Sequence, residues 1–158
     1  MLALALILAA ASQAQERELN GFDLSGSLIP FRDIASGGPP RDGIPSIDNP
    51  RFLGASEASF LAPEDRVLGV AIEGEAKAYP VAILNWHEIV NDRSLDQNFV
   101  VTYCPLCGSG MVFAADVGER ELSFGVSGLL YNSDVLLYDR NTESLWSQLL
   151  AKAVSGPL

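Results

Sequence analysis

The sequence predicts an α+β domain dominated by β-structure, with one compact mixed or antiparallel sheet and a few short helices. Short runs of β-branched and aromatic residues, bounded by Gly, Pro and Asp, outnumber the segments with helical spacing. The chain has 158 residues, enough for one hydrophobic core. Hydrophobic residues make up 48% of it, which is typical of a globular protein rather than a disordered one.

The predicted domain occupies residues 51–158. One helix is predicted from Val81 to His87, because Pro80 suits the first turn of a helix. A second helix is predicted near the C-terminus, where five residues share one helical face: Leu145, Trp146, Leu149, Leu150 and Ala153. The predicted strands are residues 67–72, 76–79, 98–103, 111–113, 122–124 and 134–139, with 111–113 and 122–124 forming one hairpin.

Two segments precede this domain. Residues 1–14 are predicted to be a secretory signal, because residues 2–11 are almost purely apolar and small residues then lead to a cleavage position after Ala14. The apolar run is shorter than the roughly 20 residues that cross a bilayer core, so no transmembrane segment is expected in the mature chain. The predicted location is therefore exported, either periplasmic or extracellular. No Lys or Arg precedes the run, which leaves a buried N-terminal helix as the alternative.

Residues 15–50 are rich in Gly, Pro, Ser and Asp, and they are predicted to form an extended arm over the domain.

The charge balance excludes one class of partner. With 20 acidic and 10 basic residues the formal net charge is −10, which repels nucleic-acid phosphates. The expected partners are a small molecule or an envelope protein.

The most informative segment is Cys104-Pro105-Leu106-Cys107, predicted to be a turn between two strands and followed by Gly108. A Cys-x-x-Cys turn of this kind is typical of a metal knuckle, in which both sulfurs point inward. The chain has two cysteines and one histidine, His87, so the count falls one short of four strong ligands. The fourth position could be open, or filled by a carboxylate such as Glu88 or Asp92, or supplied by a segment outside this sequence.

Two other interpretations of the cysteines stay open. Exported proteins meet oxidising conditions, so Cys104 and Cys107 could form a redox-active disulfide. They could also be an inert pair of buried thiols. In the metal hypothesis Cys104, Cys107 and His87 are the ligands of zinc, iron or copper, and Glu88 is an orienting partner or catalytic proton carrier. Met111 is a further weak ligand that would suit copper. The sequence Gly125-Val126-Ser127-Gly128 lacks the spacing of a serine-hydrolase elbow.

From Gly43 to Ser147 the sequence resembles the family called domain of unknown function 3179. Six ordered runs carry the resemblance, and they are residues 42–45, 78–80, 85–92, 102–107, 124–128 and 138–140 with 144–146. The resemblance implies an exported or envelope-associated protein, and it places the histidine run and the cysteine run in one pattern. It also implies that the pattern continues past Pro157, so that a fourth ligand could lie further along. No reaction follows from it.

Three functions are compatible with these residues. The leading hypothesis is an exported metal-binding domain with a Cys-x-x-Cys plus His site, which could act as an oxidoreductase. The alternatives are a metal-free thiol–disulfide exchange protein and a non-enzymatic envelope binding module. Whether the chain is an enzyme is left open by its sequence.

Overall fold

The structure is a computed structural model that describes residues 17–158. The predicted signal segment, residues 1–14, lies outside the described residues. The described part contains one α-helix, α1 (Val81–His87), and two short 3₁₀ turns, Phe31–Asp33 and Ala55–Glu57. Its strands are β1 (Glu18–Leu19), β2 (Phe22–Asp23), β3 (Ile34–Ser36), β4 (Ile47–Asp48), β5 (Val67–Ile72), β6 (Glu75–Pro80), β7 (Ile89–Ser94), β8 (Gln97–Cys104), β9 (Ser109–Ala114), β10 (Asp116–Val117), β11 (Arg120–Glu121), β12 (Phe124–Tyr131), β13 (Asp134–Asp139), β14 (Leu145–Ser147) and β15 (Lys152–Ser155). The prediction of a β-dominated fold is confirmed.

Two sheets make up the body of the domain. The five-stranded sheet has the order β15-β14-β13-β12-β3 and is antiparallel throughout. The four-stranded sheet has the order β4-β7-β8-β9, in which only the short β4–β7 pairing is parallel. Three two-stranded hairpins, β1–β2, β5–β6 and β10–β11, complete the fold. Several antiparallel sheets therefore take the place of a single one.

The hydrophobic core consists of three clusters of buried residues. Each cluster lies between two neighbouring layers, so that the domain has four layers. Between the two large sheets, Ile89 and Val100 cluster with Val126 and Leu137. The other face of the four-stranded sheet is covered by α1 and the β5–β6 hairpin, and the other face of the five-stranded sheet by the segment after Arg17. Each fully buried aliphatic side chain contributes about 1.5–3 kcal/mol to such a core.

The predicted C-terminal helix is wrong, because its residues form the β14–β15 hairpin instead. Leu145 is fully buried and pairs with Tyr138 of β13, whereas Leu149 and Leu150 are exposed in the turn. Strand pairing to β13 therefore prevails over a helical spacing that five apolar residues happen to satisfy. The predicted 111–113/122–124 hairpin is also wrong, since β9 pairs with β8 and the hairpin is the shorter β10–β11.

Asn91 and the Ser127-Gly128 pair, which belong to two of the sequence motifs, have structural roles. The Asn91 side chain makes two hydrogen bonds of 2.8 Å with the backbone of Phe124 and so ties the two large sheets together. Ser127 is fully buried and donates to the carbonyl oxygen of Leu136 beside a β-bulge. At Gly128, with φ of +72°, a Cβ would lie 2.2 Å from the Pro39 carbonyl oxygen. Ser127 is therefore a buried structural hydroxyl, which excludes it as an accessible nucleophile.

Candidate metal centre

Three turns meet at one end of the two-sheet body. They are residues 105–108 between β8 and β9, residues 132–133 between β12 and β13, and residues 148–151 between β14 and β15. The first belongs to the four-stranded sheet and the other two to the five-stranded sheet. The site is thus built from both sheets, and its geometry depends on how they pack.

The cysteine turn is held by backbone geometry. Cys104 ends β8 as a buried residue, and the N–H of Gly108 donates to its carbonyl oxygen at 2.8 Å. Gly108 has φ of +67°, a conformation that favours glycine. Cys107 is exposed, and both cysteines are free thiols. Cys104 therefore lies inside the domain, whereas Cys107 lies at its surface.

The third member of the site, Asp134, comes from the β12–β13 hairpin. Asn132 and Ser133 both have positive φ, 50° and 67°, as a two-residue turn of type I′ requires. This turn places Asp134 first in β13, where the residue is only 3% exposed. The thiol of Cys104 donates to the Ser133 carbonyl oxygen at 3.9 Å, so the cysteine turn and the hairpin are in direct contact.

The ligand atoms of Cys104, Cys107 and Asp134 all lie within 4.8 Å of one another. Cys107 Sγ and Asp134 Oδ1 are 3.2 Å apart. A tetrahedral metal with bonds of about 2.3 Å to sulfur and 2.1 Å to oxygen would hold such a pair about 3.6 Å apart. The three residues could therefore hold a metal ion with small side-chain movements.

A buried polar network supports the site from inside. Ser109 Oγ lies 2.9 Å from Cys107 Sγ and donates to Gln148 Oε1 at 2.6 Å. Gln148, which is fully buried, donates in turn to Thr102 Oγ1 at 2.9 Å. Because Ser109 has one proton and Gln148 takes it at the shortest distance, Ser109 presents a lone pair to Cys107.

The surroundings of the Cys104 thiol disfavour its ionisation. Burial, followed by the hydrogen bond to Cys107, raises the pKa of the Cys104 thiol to about 11. The neighbours of the Cys107 sulfur are acceptors: Asp134 Oδ1, Ser109 Oγ and the Cys104 carbonyl oxygen. None of the ion pairs within residues 17–158 includes Asp134. The side chains of the site therefore offer electron pairs to a cation, and no cationic side chain in this range is paired with the carboxylate.

His87, the predicted third ligand, is not part of this three-residue cluster. It ends α1, and its Nδ1 lies 2.8 Å from the carbonyl oxygen of Pro45. A carbonyl accepts only, so Nδ1 carries a proton, and in the neutral imidazole Nε2 is the atom that holds the lone pair. Its role as a ligand stays a prediction, and the structure offers Asp134 in the third position.

Glu88 follows His87 and connects it to the cysteine strand. Its carbonyl oxygen accepts the N–H of Tyr103 at 2.7 Å, one residue before Cys104. Its own φ is +59°, which is strained for a residue with a side chain. Burial raises the pKa of the Glu88 carboxyl, and within residues 17–158 that carboxyl has no hydrogen-bond or ion-pair partner. Asp92, the other carboxylate considered from sequence, is bonded by Lys77 and Tyr79 instead.

Sequence reasoning missed Asp134. The run Asn132-Ser133-Asp134 has the composition of a turn, and turn chemistry accounts for its polar residues. The signal that could have singled out Asp134 is the Asn-Ser pair ahead of an apolar strand, which predicts a tight hairpin with the aspartate at its base. Only the packing of the two sheets brings that base to the cysteines.

No curated protein and no solved structure shows a significant match to this chain. Among the described residues no helix has the length and apolar character to cross a membrane. One family model does match, described as "Protein of unknown function (DUF3179)", and it covers residues 41–158. That range includes every residue of the site, and most of the chain: the protein belongs to the DUF3179 family.

Proposed function

We propose that this protein is a metal-binding domain whose ion is held by Cys104, Cys107 and Asp134, with one coordination position open to solvent. The observation that carries the proposal is the buried Asp134 carboxylate beside two thiols, with no cationic side chain paired to it in the described chain. A buried charge is costly unless it is paired or binds a metal. A divalent cation would balance the carboxylate and allow both sulfurs to become thiolates.

The ligand set favours zinc. Two sulfurs and one carboxylate oxygen suit this ion, and three protein ligands with an open fourth position are typical of zinc sites that bind or activate a further molecule. Iron and copper also accept thiolates, and either ion would make redox chemistry available to the domain, as an oxidoreductase requires. The exposure of Cys107 supports an open site rather than a closed structural one.

His87 and Glu88 are proposed to serve this centre from its edge. The bond from Tyr103 to Glu88 holds both residues beside the end of β8, where Cys104 lies. In its neutral form, His87 could accept a proton at Nε2 from a molecule bound in the open position, or could occupy that position itself when no such molecule is bound. The half-buried Glu88 carboxyl is suited to carrying a proton. Neither role is needed for the three-residue site to bind its ion.

A second candidate function, thiol–disulfide exchange, is favoured by one observation. Cys107 is exposed and Cys104 is buried close to it, as an attacking and a resolving thiol would be. Against this, a reactive thiolate needs an electropositive setting, and the sulfur of Cys107 is surrounded by acceptors.

Export is proposed on the apolar character of residues 2–11 alone. The full chain, expressed in a bacterial host with its own N-terminus, should yield mature protein that begins near Gln15. Intact Met1 on secreted material would overturn this proposal without touching the metal site.

The test of the metal site is metal analysis of purified protein, prepared with and without a reductant. Wild type should bind one zinc per chain, and Cys104→Ser, Cys107→Ser and Asp134→Asn should each lose it. Asp96→Asn, which changes an exposed carboxylate in the β7–β8 turn, is the matched control and should bind as wild type does. Wild type without bound metal, together with a mixed disulfide trapped by one cysteine variant only, would establish thiol exchange instead.

A further inference from the structure

Three exposed leucines border the candidate metal centre. Leu106, in the turn between the two cysteines, is 70% exposed. Leu149 and Leu150, in the turn between β14 and β15, are 57% and 46% exposed. The backbone N–H of Leu149 donates to Asp134 Oδ2 at 3.2 Å, so this second turn also reaches the site. We call Leu106, Leu149 and Leu150 the leucine rim.

Turn tips usually carry polar residues, because they face water on most sides. Because about half or more of each of these residues is exposed, the rim leucines contribute little to the hydrophobic core. Single exposed leucines are ordinary on protein surfaces, but here they lie in two separate turns that both reach the three-residue site. One turn carries both cysteines, and the other is bonded to Asp134 through its backbone. An apolar border around a polar centre is typical of a ligand site, where the border contacts the carbon skeleton of the ligand.

The charge of the donor set restricts what can fill the open position. Two thiolates and one carboxylate carry three negative charges, so a divalent ion leaves the centre with one negative charge. Within residues 17–158, no Lys, Arg or His side chain hydrogen bonds or pairs with Cys104, Cys107 or Asp134. An anionic fourth ligand would add a second uncompensated charge, whereas an uncharged lone-pair donor would not.

On the basis of the proposed metal function, we propose that the open position accepts an uncharged lone-pair donor carried on an apolar group, and discriminates against carboxylates. The metal binds the donor atom, and the leucine rim contacts the apolar group. The molecule that binds this site should therefore have an uncharged donor atom for the metal and an apolar group next to that atom.

The experiment uses the protein loaded with cobalt(II), whose visible absorption reports the ligands around the ion. Two pairs of probes are titrated: 1-methylimidazole against 1-benzylimidazole, and acetate against phenylacetate. Both imidazoles should change the cobalt spectrum, and the benzyl compound should bind about tenfold more tightly because its ring is partly buried against the rim. Neither carboxylate should change the spectrum at concentrations where the imidazoles saturate.

Leu106→Asn and Leu149→Asn should each reduce the benzyl advantage while leaving the affinity for 1-methylimidazole unchanged. Leu95→Asn is the matched control, since Leu95 is 51% exposed in the turn at the opposite end of β8. If wild type shows no thiolate-to-cobalt absorption, the proposed metal function itself fails. If cobalt binds but carboxylates bind as well as imidazoles, or the benzyl advantage survives both rim variants, only the present inference is overturned.

Discussion

Strand β13 carries a buried aspartate at each end, and the two have opposite surroundings. Asp139 is fully buried and accepts three hydrogen bonds, from Thr142 N at 2.6 Å, Thr142 Oγ1 at 2.8 Å and Trp146 Nε1 at 2.9 Å. Asp134 has longer contacts with its donors: the backbone N–H of Leu149 at 3.2 Å, the thiol of Cys107 at 3.2 Å and the hydroxyl of Ser109 at 3.4 Å. Asp139 is thus held by three short bonds, whereas the bonds to Asp134 are longer and one of its donors is a weakly donating thiol.

The difference bears on how a structural carboxylate can be told from a candidate metal ligand when both are buried. Burial alone does not distinguish them, because neither residue is more than 3% exposed. What distinguishes them is the length of the hydrogen bonds and the kind of donor. Asp139 stabilises the turn before β14, whereas Asp134 lies beside two thiols with which it could hold a cation.

The largest expected effect on the free energy of unfolding is at the end of β13 that carries Asp139. Asp139→Ala leaves the Trp146 indole N–H and two Thr142 donors without their acceptor, and each buried unsatisfied donor costs about 1–3 kcal/mol. We expect the free energy of unfolding to fall by about 3 kcal/mol, measured by urea denaturation, with the same metal content per folded chain. A loss no larger than that of Asp96→Ala would show that the contrast between the two aspartates is not one of stability.

The next effect concerns the end of β13 that carries Asp134. Zinc at a free concentration one hundred times its dissociation constant should stabilise wild type by about 2.7 kcal/mol. Asp134→Asn should show no such stabilisation at the same zinc concentration, and its metal-free form should be at least as stable as metal-free wild type, because a buried charge has been removed. Urea denaturation with and without zinc measures both.

A metal-free Asp134→Asn protein that is clearly less stable than metal-free wild type would contradict this prediction. It would mean that Asp134 is as well satisfied as Asp139, and that the contrast in donor distances has no energetic consequence. Asp139→Asn, assayed in parallel, keeps one acceptor oxygen and should still gain stability from zinc.

A smaller effect should follow from the network behind Asp134. Ser109→Ala removes the donor of the buried Gln148 Oε1, and we expect a loss of about 1 kcal/mol in the free energy of unfolding. Replacing both partners removes the unsatisfied group, so Ser109→Ala with Gln148→Met should recover part of that loss. If the double variant loses more free energy of unfolding than the two single variants together, Gln148 would act chiefly through Thr102.

The two ends of β13 also differ in how far the sequence predicts them. Several of the strands and α1 follow from local signals, such as Pro80 ahead of an apolar run or the β-branched run that ends at Cys104. Local signals likewise identify Cys104 and Cys107. Asp134 could not be identified as their neighbour, because it lies 27 residues from Cys107 and the contact depends on how two sheets pack.

The failed helix prediction has the same physical origin. Leu149 and Leu150 satisfy a helical period, but the pairing of β14 with β13 decides their conformation, and that pairing is not local. The residues mistaken for a buried helical face became two members of the leucine rim. Because these pairings are long-range, neither the candidate ligand Asp134 nor the leucine rim could be identified from the sequence.

The smallest expected effect is at the surface next to Asp139, where Arg41 pairs with Glu143 at 2.7 Å. This pair is exposed on the Glu143 side, so Glu143→Gln should leave the urea midpoint unchanged within error, because solvent screens such pairs. The Arg41 guanidinium also lies 4.2 Å from the centre of the Tyr138 ring, and a cation over an aromatic face contributes about 0.5–1 kcal/mol at such sites. Arg41→Gln should therefore lower stability measurably where Glu143→Gln does not. If both variants lose the same amount, and the double variant loses no more, the ion pair itself would stabilise this end of β13. That end would then owe its stability to surface charge as well as to the buried Asp139.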